Sequence, residues 1–209
     1  MLLEEISLQL QAGQAKAVKE LVQKAIDEGI SPDTILNDGL LAGMDIVGTR
    51  FKNNEIFVPE VLVAARAMNM GASVLKPLLV KEDTPSVGRV CIGTVEGDLH
   101  DIGKNLVKMM MESKGLEVID LGTNVPACTF VDTAIEQNCN IICCSALLTT
   151  TMEIMADVGK IAEEKGIRDK VKIMVGGAPI TEEFCLSIGA DVYTPDAATA
   201  AEKAIELCK

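Results

Sequence analysis

A doubly wound, parallel α/β sheet of five strands preceded by a four-helix bundle is predicted by three features of this 209-residue chain. Apolar residues up to about position 80 recur at helical spacing. Beyond position 88, short β-rich runs alternate with helical segments. Between them, residues 80–88 form a polar stretch carrying Pro85 and Gly88, so the domains are drawn at 1–84 and 88–209.

Each element has its own warrant. A short segment ahead of Gly13 is the first helix. Residues 14–28 put Ala17, Val18, Leu21, Val22, Ala25 and Ile26 on one face and stop at Gly29. Ser31 and Pro32 supply an N-cap and a first-turn proline for a helix reaching about Phe51, where Asn53-Asn54 breaks it. Pro59 opens the fourth helix, with Val61, Leu62, Ala65, Met68, Ala72 and Leu75 at core-like spacing. Short connections make these four an antiparallel bundle. Strands are then expected at 90–95, 116–121, 141–146, 171–175 and 191–193. Helices follow them at about 101–114, 126–138, 151–165, 180–188 and 196–208, with Gly115 and Gly166 at natural stops. Five βα units of this length predict a flavodoxin-like sheet with strand order 2-1-3-4-5.

Composition narrows the function. A net charge of −12 without a Lys/Arg block argues against nucleic acid and anionic membrane surfaces. Phe51, Phe57, Phe130, Phe184 and Tyr193 are the only aromatics, which disfavours base stacking. The first residues lack the basic region of a secretory signal, and the most apolar stretch, 141–148, is too short to span a bilayer. Seven cysteines without a C-x-x-C pair read as reduced, buried thiols, so a cytoplasmic location is expected.

The chemistry-bearing residues gather at one sheet edge. Ligands of open parallel sheets bind beyond the strands' carboxyl ends where strand order reverses, here between strands 1 and 3. Strand 1 runs into Gly97-Asp98-Leu99-His100-Asp101-Ile102-Gly103, which holds the chain's single histidine. A carboxylate two residues from an imidazole can fix its tautomer for metal ligation. A lone histidine equally often decorates a surface or satisfies a buried contact, and this stretch alone does not choose. Strand 3 is followed by Ser145-Ala146-Leu147-Leu148-Thr149-Thr150-Thr151 and strand 4 by Gly176-Gly177-Ala178. Glycine pairs also make turns, and Thr151 also suits a helix cap; the coincidence of all three loops favours a binding site.

Other uses of the fold fit poorly. The glycines have the wrong spacing for a G-x-G-x-x-G loop. Ser145 stands where a phosphorelay receiver would be expected to carry aspartate. No nucleophile elbow accompanies the histidine, and the cysteines lack zinc spacing. Met109, Met110 and Met111 read as core filling.

On Asp98, His100 and Gly103 (D-x-H-x-x-G), Ser145 and Leu147 (S-x-L), and Gly176-Gly177, in order behind a helical bundle, the sequence resembles the cobalamin-binding corrinoid proteins of methyltransferase systems. These are related to the cobalamin module of methionine synthase, and the resemblance covers nearly the whole chain. It implies a cobalamin or related corrinoid with His100 as lower axial cobalt ligand and Asp98 bonded to its other nitrogen. Gly97, Leu99, Asp101 and Ile102 belong to the same cofactor-binding loop. Thr151 matches a position where relatives often have serine, as third member of that relay. Ser145, Leu147 and Thr149 would line a slot for the displaced nucleotide tail, bordered by Gly176, Gly177 and Ala197. Phe51 and Val58 would belong to a helical cap shielding the reactive ligand; core filling is their ordinary alternative. With no length for a methyl-donor or mutase barrel, the expectation is a non-catalytic methyl carrier. It would serve a substrate-specific methyltransferase and a second, accepting one, with a reductive activase. A cobalamin-dependent regulatory sensor is the alternative, and it would want a basic DNA-binding segment.

Overall fold

The computed structural model describes residues 2–79 and 87–209. The chain divides into two compact units, Met1–Pro85 and Ser86–Lys209. Residues 80–86 of the expected linker lie outside the described residues.

The first unit is helical: α1 (Leu2–Gln11), α2 (Ala15–Asp27), α3 (Pro32–Thr34), α4 (Ala42–Lys52) and α5 (Val58–Leu79). Ser31 caps α3, its hydroxyl accepting the Thr34 N–H. The segment expected as one helix to Phe51 is continuous but widens into a π-helical stretch, Ile35–Leu41, between α3 and α4. There the Ala42 N–H donates to the carbonyl of Asn37, five residues back. The Asn37 side chain bonds the Asp33 carbonyl, competing with the regular ladder. Helix α5 packs on α2, while α1 meets α2 and α4. Val18, Val22, Ala25, Val61, Ala65, Met68 and Leu75 are buried as their spacing implies. Leu62 is not: it leaves 45% of its surface exposed, lying about 100° around the helix from Val61.

The second unit alternates strands and helices: β1 (Arg89–Val95), α6 (Ile102–Ser113), β2 (Glu117–Val125), α7 (Ala127–Glu136), β3 (Ile141–Ser145), α8 (Glu153–Glu164), β4 (Lys172–Gly176), α9 (Glu182–Ser187), β5 (Val192–Tyr193) and α10 (Ala197–Leu207). All pairings are parallel in the order β2-β1-β3-β4-β5, which puts the reversal point between β1 and β3. Helix α6 packs with α10 and α7 with α8, one pair for each face. Alternate strand residues, Cys91, Val95, Ile142, Cys144, Ile173 and Val175, join Phe130, Val131, Met155 and Val158 in one core. Close approach to Phe130 demands glycine at 93, where a Cβ would come within 2.9 Å of the ring. The cysteines are free and mostly buried, but Cys128 is exposed on α7, against the expectation of buried thiols throughout. Strand β2 runs four residues past its expected end at 121, and two register shifts against β1 accompany the extension.

Candidate cofactor-binding site

The loop from β1 to α6 is built around one buried carboxylate. Asp98 has no exposed surface. Its Oδ1 accepts the His100 backbone N–H at 3.0 Å and lies 2.7 Å from His100 Nδ1. Its Oδ2 accepts the N–H groups of Leu147 and Leu148 at 2.7 and 3.0 Å. Burial alone would raise this acid. The His100 and Leu147 N–H groups, the His100 ring and the Leu148 N–H outweigh burial and hold it well below the usual carboxylate range. An ionised carboxylate only accepts, so Nδ1 carries a proton, and the neutral tautomer this selects has its lone pair on Nε2. The imidazole is 53% exposed, so Asp98 fixes the ring and leaves one nitrogen open for ligation.

The surroundings of that nitrogen are apolar and open. Leu99 and Ile102 leave 72% and 78% of their surfaces exposed, and Leu147 and Leu148 are exposed as well. At Gly103, in the first turn of α6, a Cβ would meet nothing within 4 Å. Asp101 accepts a bond from the Asn105 side chain and stays at the surface. Among the described residues no three His, Cys, Asp or Glu side chains cluster to hold a bare metal ion. A metal at His100 must therefore arrive with most of its own ligands, and a flat apolar macrocycle suits the exposed Leu99, Ile102 and Gly103. The donor set fits a corrinoid.

Adjacent strand ends extend the site. Register pairs Thr94 with Ser145 and Ser145 with Gly176, placing three loop starts side by side. Gly177 has φ +132°, and a Cβ there would fall 1.8 Å from the Ala146 carbonyl oxygen. Only glycine lets these two loops touch. Thr149 is exposed in the 3₁₀ turn Thr149–Thr151. Ala197, buried, opens α10 behind the Asp196 cap. Phe51 and Val58 lie half-buried in the helical unit, at the end of α4 and the start of α5.

Thr151 does not cap α8, whose N-cap is Met152 without a side-chain bond. Its hydroxyl donates to the Leu148 carbonyl at 2.9 Å and lies 3.5 Å from Asp98 Oδ2. One proton cannot serve both acceptors, and the shorter contact takes it. Two contributors escaped the sequence reading. Buried Thr94 donates its hydroxyl proton to the His100 carbonyl at 2.9 Å. Asn124 accepts the Gly97 N–H at 2.8 Å and donates its own N–H to the Asp98 carbonyl at 2.9 Å. A polar residue at the end of an expected strand could have flagged Asn124; an interior strand threonine gives no such signal.

A family model described as a B12 binding domain matches residues 88–205, and a second of the same description matches residues 2–76. The dimethylamine corrinoid protein of Methanosarcina barkeri is 44% identical over 207 residues, covering 99% of this chain and 97% of that protein. Trimethylamine corrinoid protein 1 of Methanosarcina acetivorans is 45% identical over 186 residues, covering 88% and 86%. Among solved structures, the methanol:cobalamin methyltransferase complex MtaBC from Methanosarcina barkeri matches with TM-score 0.88 and 32% identity, over 99% of this chain and 79% of that one. A cobalamin-binding protein from Desulfitobacterium hafniense DCB-2 matches with TM-score 0.82 and 30% identity over 98% of each.

Proposed function

This chain belongs to the B12 binding domain family and takes a corrinoid cofactor, and from that premise we propose that it is a methyl carrier with His100 as lower axial cobalt ligand. The carrying observation is the pair Asp98–His100: a buried acceptor on Nδ1, an exposed ring, and a free Nε2. When bound, the corrinoid supplies a cobalt centre that takes up and gives up a methyl group.

The protein's own residues do the rest. Asp98 holds the ring proton at Nδ1 and keeps Nε2 available. Leu99, Ile102 and the open space at Gly103 receive the apolar face of the ring system. Ser145, Leu147 and Thr149 line the tail slot, with Gly176, Gly177 and Ala197 at its border. Phe51 and Val58, in the unit we bound at 1–84, are assigned to shielding on the family resemblance alone; the cofactor unit is 88–209. A donor-specific methyltransferase loads the carrier, a second enzyme unloads it, and a reductive activase restores it.

Reconstitution with hydroxocobalamin, desalting and reduction to cob(II)alamin tests this reading. The expected result is a coloured protein whose electron resonance spectrum carries a nitrogen splitting. That splitting should change pattern when histidine is labelled with the heavy nitrogen isotope, and should vanish in His100→Ala. A colourless fraction, or a splitting insensitive to the label, sinks the assignment.

A further inference from the structure

The His100 loop is also held from β2, an element with no residue in the recognised motifs. Ile92 pairs with Asp120, Gly93 with Gly122, and Val95 with Val125. Strand β2 therefore gains one residue on β1 in each of two successive steps. Asn124 falls in the second of these irregularities, just ahead of the Val95–Val125 pair that leads into the turn after β1. Its backbone is left-handed at φ +55°, a conformation that among the described non-glycine residues only Asn54 and Asn138 share and that asparagine tolerates better than most residues.

Two bonds then join Asn124 to the turn. The Gly97 N–H donates to its side-chain oxygen at 2.8 Å. Its own N–H donates to the Asp98 carbonyl at 2.9 Å. Gly97 and Asp98 are thus held from outside the loop, immediately ahead of the carboxylate that orients His100. The strand beneath is itself pinned. Lys104, its side chain 2% exposed, contacts Asp120 Oδ1 at 2.5 Å, and the Gly122 N–H donates to the same oxygen at 3.0 Å. Lys104 is on α6, so β2 is tied to the helix that His100 precedes as well as to the turn that it follows.

The geometry points to Asn124 as a positioning residue for His100: its side-chain oxygen, clamped on Gly97, fixes the turn from which the imidazole is presented. This inference rests on His100 being the lower ligand. Replacing an outer partner of a metal ligand typically weakens metal binding about 10- to 100-fold. Asn124→Gly removes the acceptor while permitting the positive φ and retaining the backbone N–H, so the sheet is undisturbed. Asn124→Asp keeps an oxygen at the same place.

The test reconstitutes parent and both variants with cob(II)alamin, using isotope-labelled histidine. It measures the fraction of spins carrying the histidine splitting, the cob(II)alamin affinity, and amide exchange at His100 in the cofactor-free protein. In Asn124→Gly we expect about tenfold weaker binding, a smaller histidine-ligated fraction and faster exchange; Asn124→Asp should recover all three. A parent without label-sensitive splitting overturns the ligand reading and this inference with it. A split parent with an unchanged Asn124→Gly overturns the positioning role alone. So does an equal loss in both variants, because the acceptor oxygen would then not be the cause.

Discussion

Asp98 Oδ1 stands 2.7 Å from His100 Nδ1, yet the two side chains occupy opposite environments: the carboxylate is fully buried and the imidazole is more than half exposed. The second carboxylate oxygen is committed to Leu147 and Leu148. One residue therefore ties the His100 loop to the loop after β3.

Asp98→Asn should reverse the histidine tautomer. Asparagine has a single carbonyl oxygen, and the two N–H groups of Leu147 and Leu148 claim it. The amide NH₂ then faces His100, so Nδ1 must accept and the ring proton moves to Nε2. Imidazole nitrogen shifts of the cofactor-free protein should report the exchange. The His100 N–H also loses its acceptor, for a stability loss of about 2 kcal/mol in denaturant unfolding. Retention of the Nδ1–H form would show that something other than this carboxylate orients the ring.

Two glycines should separate fold from binding. Gly103→Ala places a methyl in open space on a helix, so cofactor-free stability should hold or rise by up to about 1 kcal/mol. The same methyl intrudes where the corrinoid is proposed to lie and should cost about 1–3 kcal/mol of cob(II)alamin binding. Gly177→Ala forces a Cβ into the Ala146 carbonyl at a φ of +132°. It should destabilise the unit by more than about 3 kcal/mol, cofactor or not. Equal behaviour of the two variants in thermal melts would contradict the distinction.

Much of this architecture is legible in sequence because its signals are local. Asp98 and His100 are two residues apart, and five βα units of this length predict the flavodoxin-like order that is observed. What was not legible depends on backbone groups or on register. The donors to Asp98 Oδ2 are main-chain N–H groups, which any residue at 147 and 148 would supply. Asn124 reaches Gly97 only because β2 gains residues on β1, and periodicity does not count such shifts. Leu62 was placed in the core because apolar spacing tolerates one residue too many on a face. The π-helical widening at 35–41 leaves the apolar pattern helical and so escapes notice.

The Lys104–Asp120 pair gives the sheet unit an acid-sensitive component. Burial alone would raise Asp120, but Lys104, the Gly122 N–H and Lys108 outweigh it and lower the acid. A depressed folded value contributes stability above the unfolded carboxyl value of about 4 and loses it as pH falls through the folded one. Asp120→Asn strands the buried Lys104 ammonium and should cost about 3 kcal/mol at neutral pH. That difference should shrink as pH falls below about 4, where the unfolded carboxyl takes up its proton, and be lost once pH has fallen through the lower folded value. Tyr193 is the only tyrosine, no tryptophan competes with it, and it lies on β5, so its signal follows this unit's unfolding. A penalty independent of pH would mean that the ion pair is not its source.

The last prediction concerns Thr151, assigned by resemblance to a relay behind His100. Its hydroxyl proton goes to the Leu148 carbonyl at 2.9 Å, leaving Asp98 at 3.5 Å. Asp98 is already supplied by Leu147, Leu148 and both nitrogens of His100 that face it, so its ionisation does not depend on Thr151. Thr151→Val should cost about 1 kcal/mol through the lost bond to Leu148, yet leave the Nδ1–H tautomer and the histidine splitting of the cob(II)alamin form unchanged. Thr151→Ser removes only the methyl and should retain the Leu148 bond. A Thr151→Val protein with the reversed tautomer would restore the relay, because only a proton shared with Asp98 could carry the effect from position 151 to the ring.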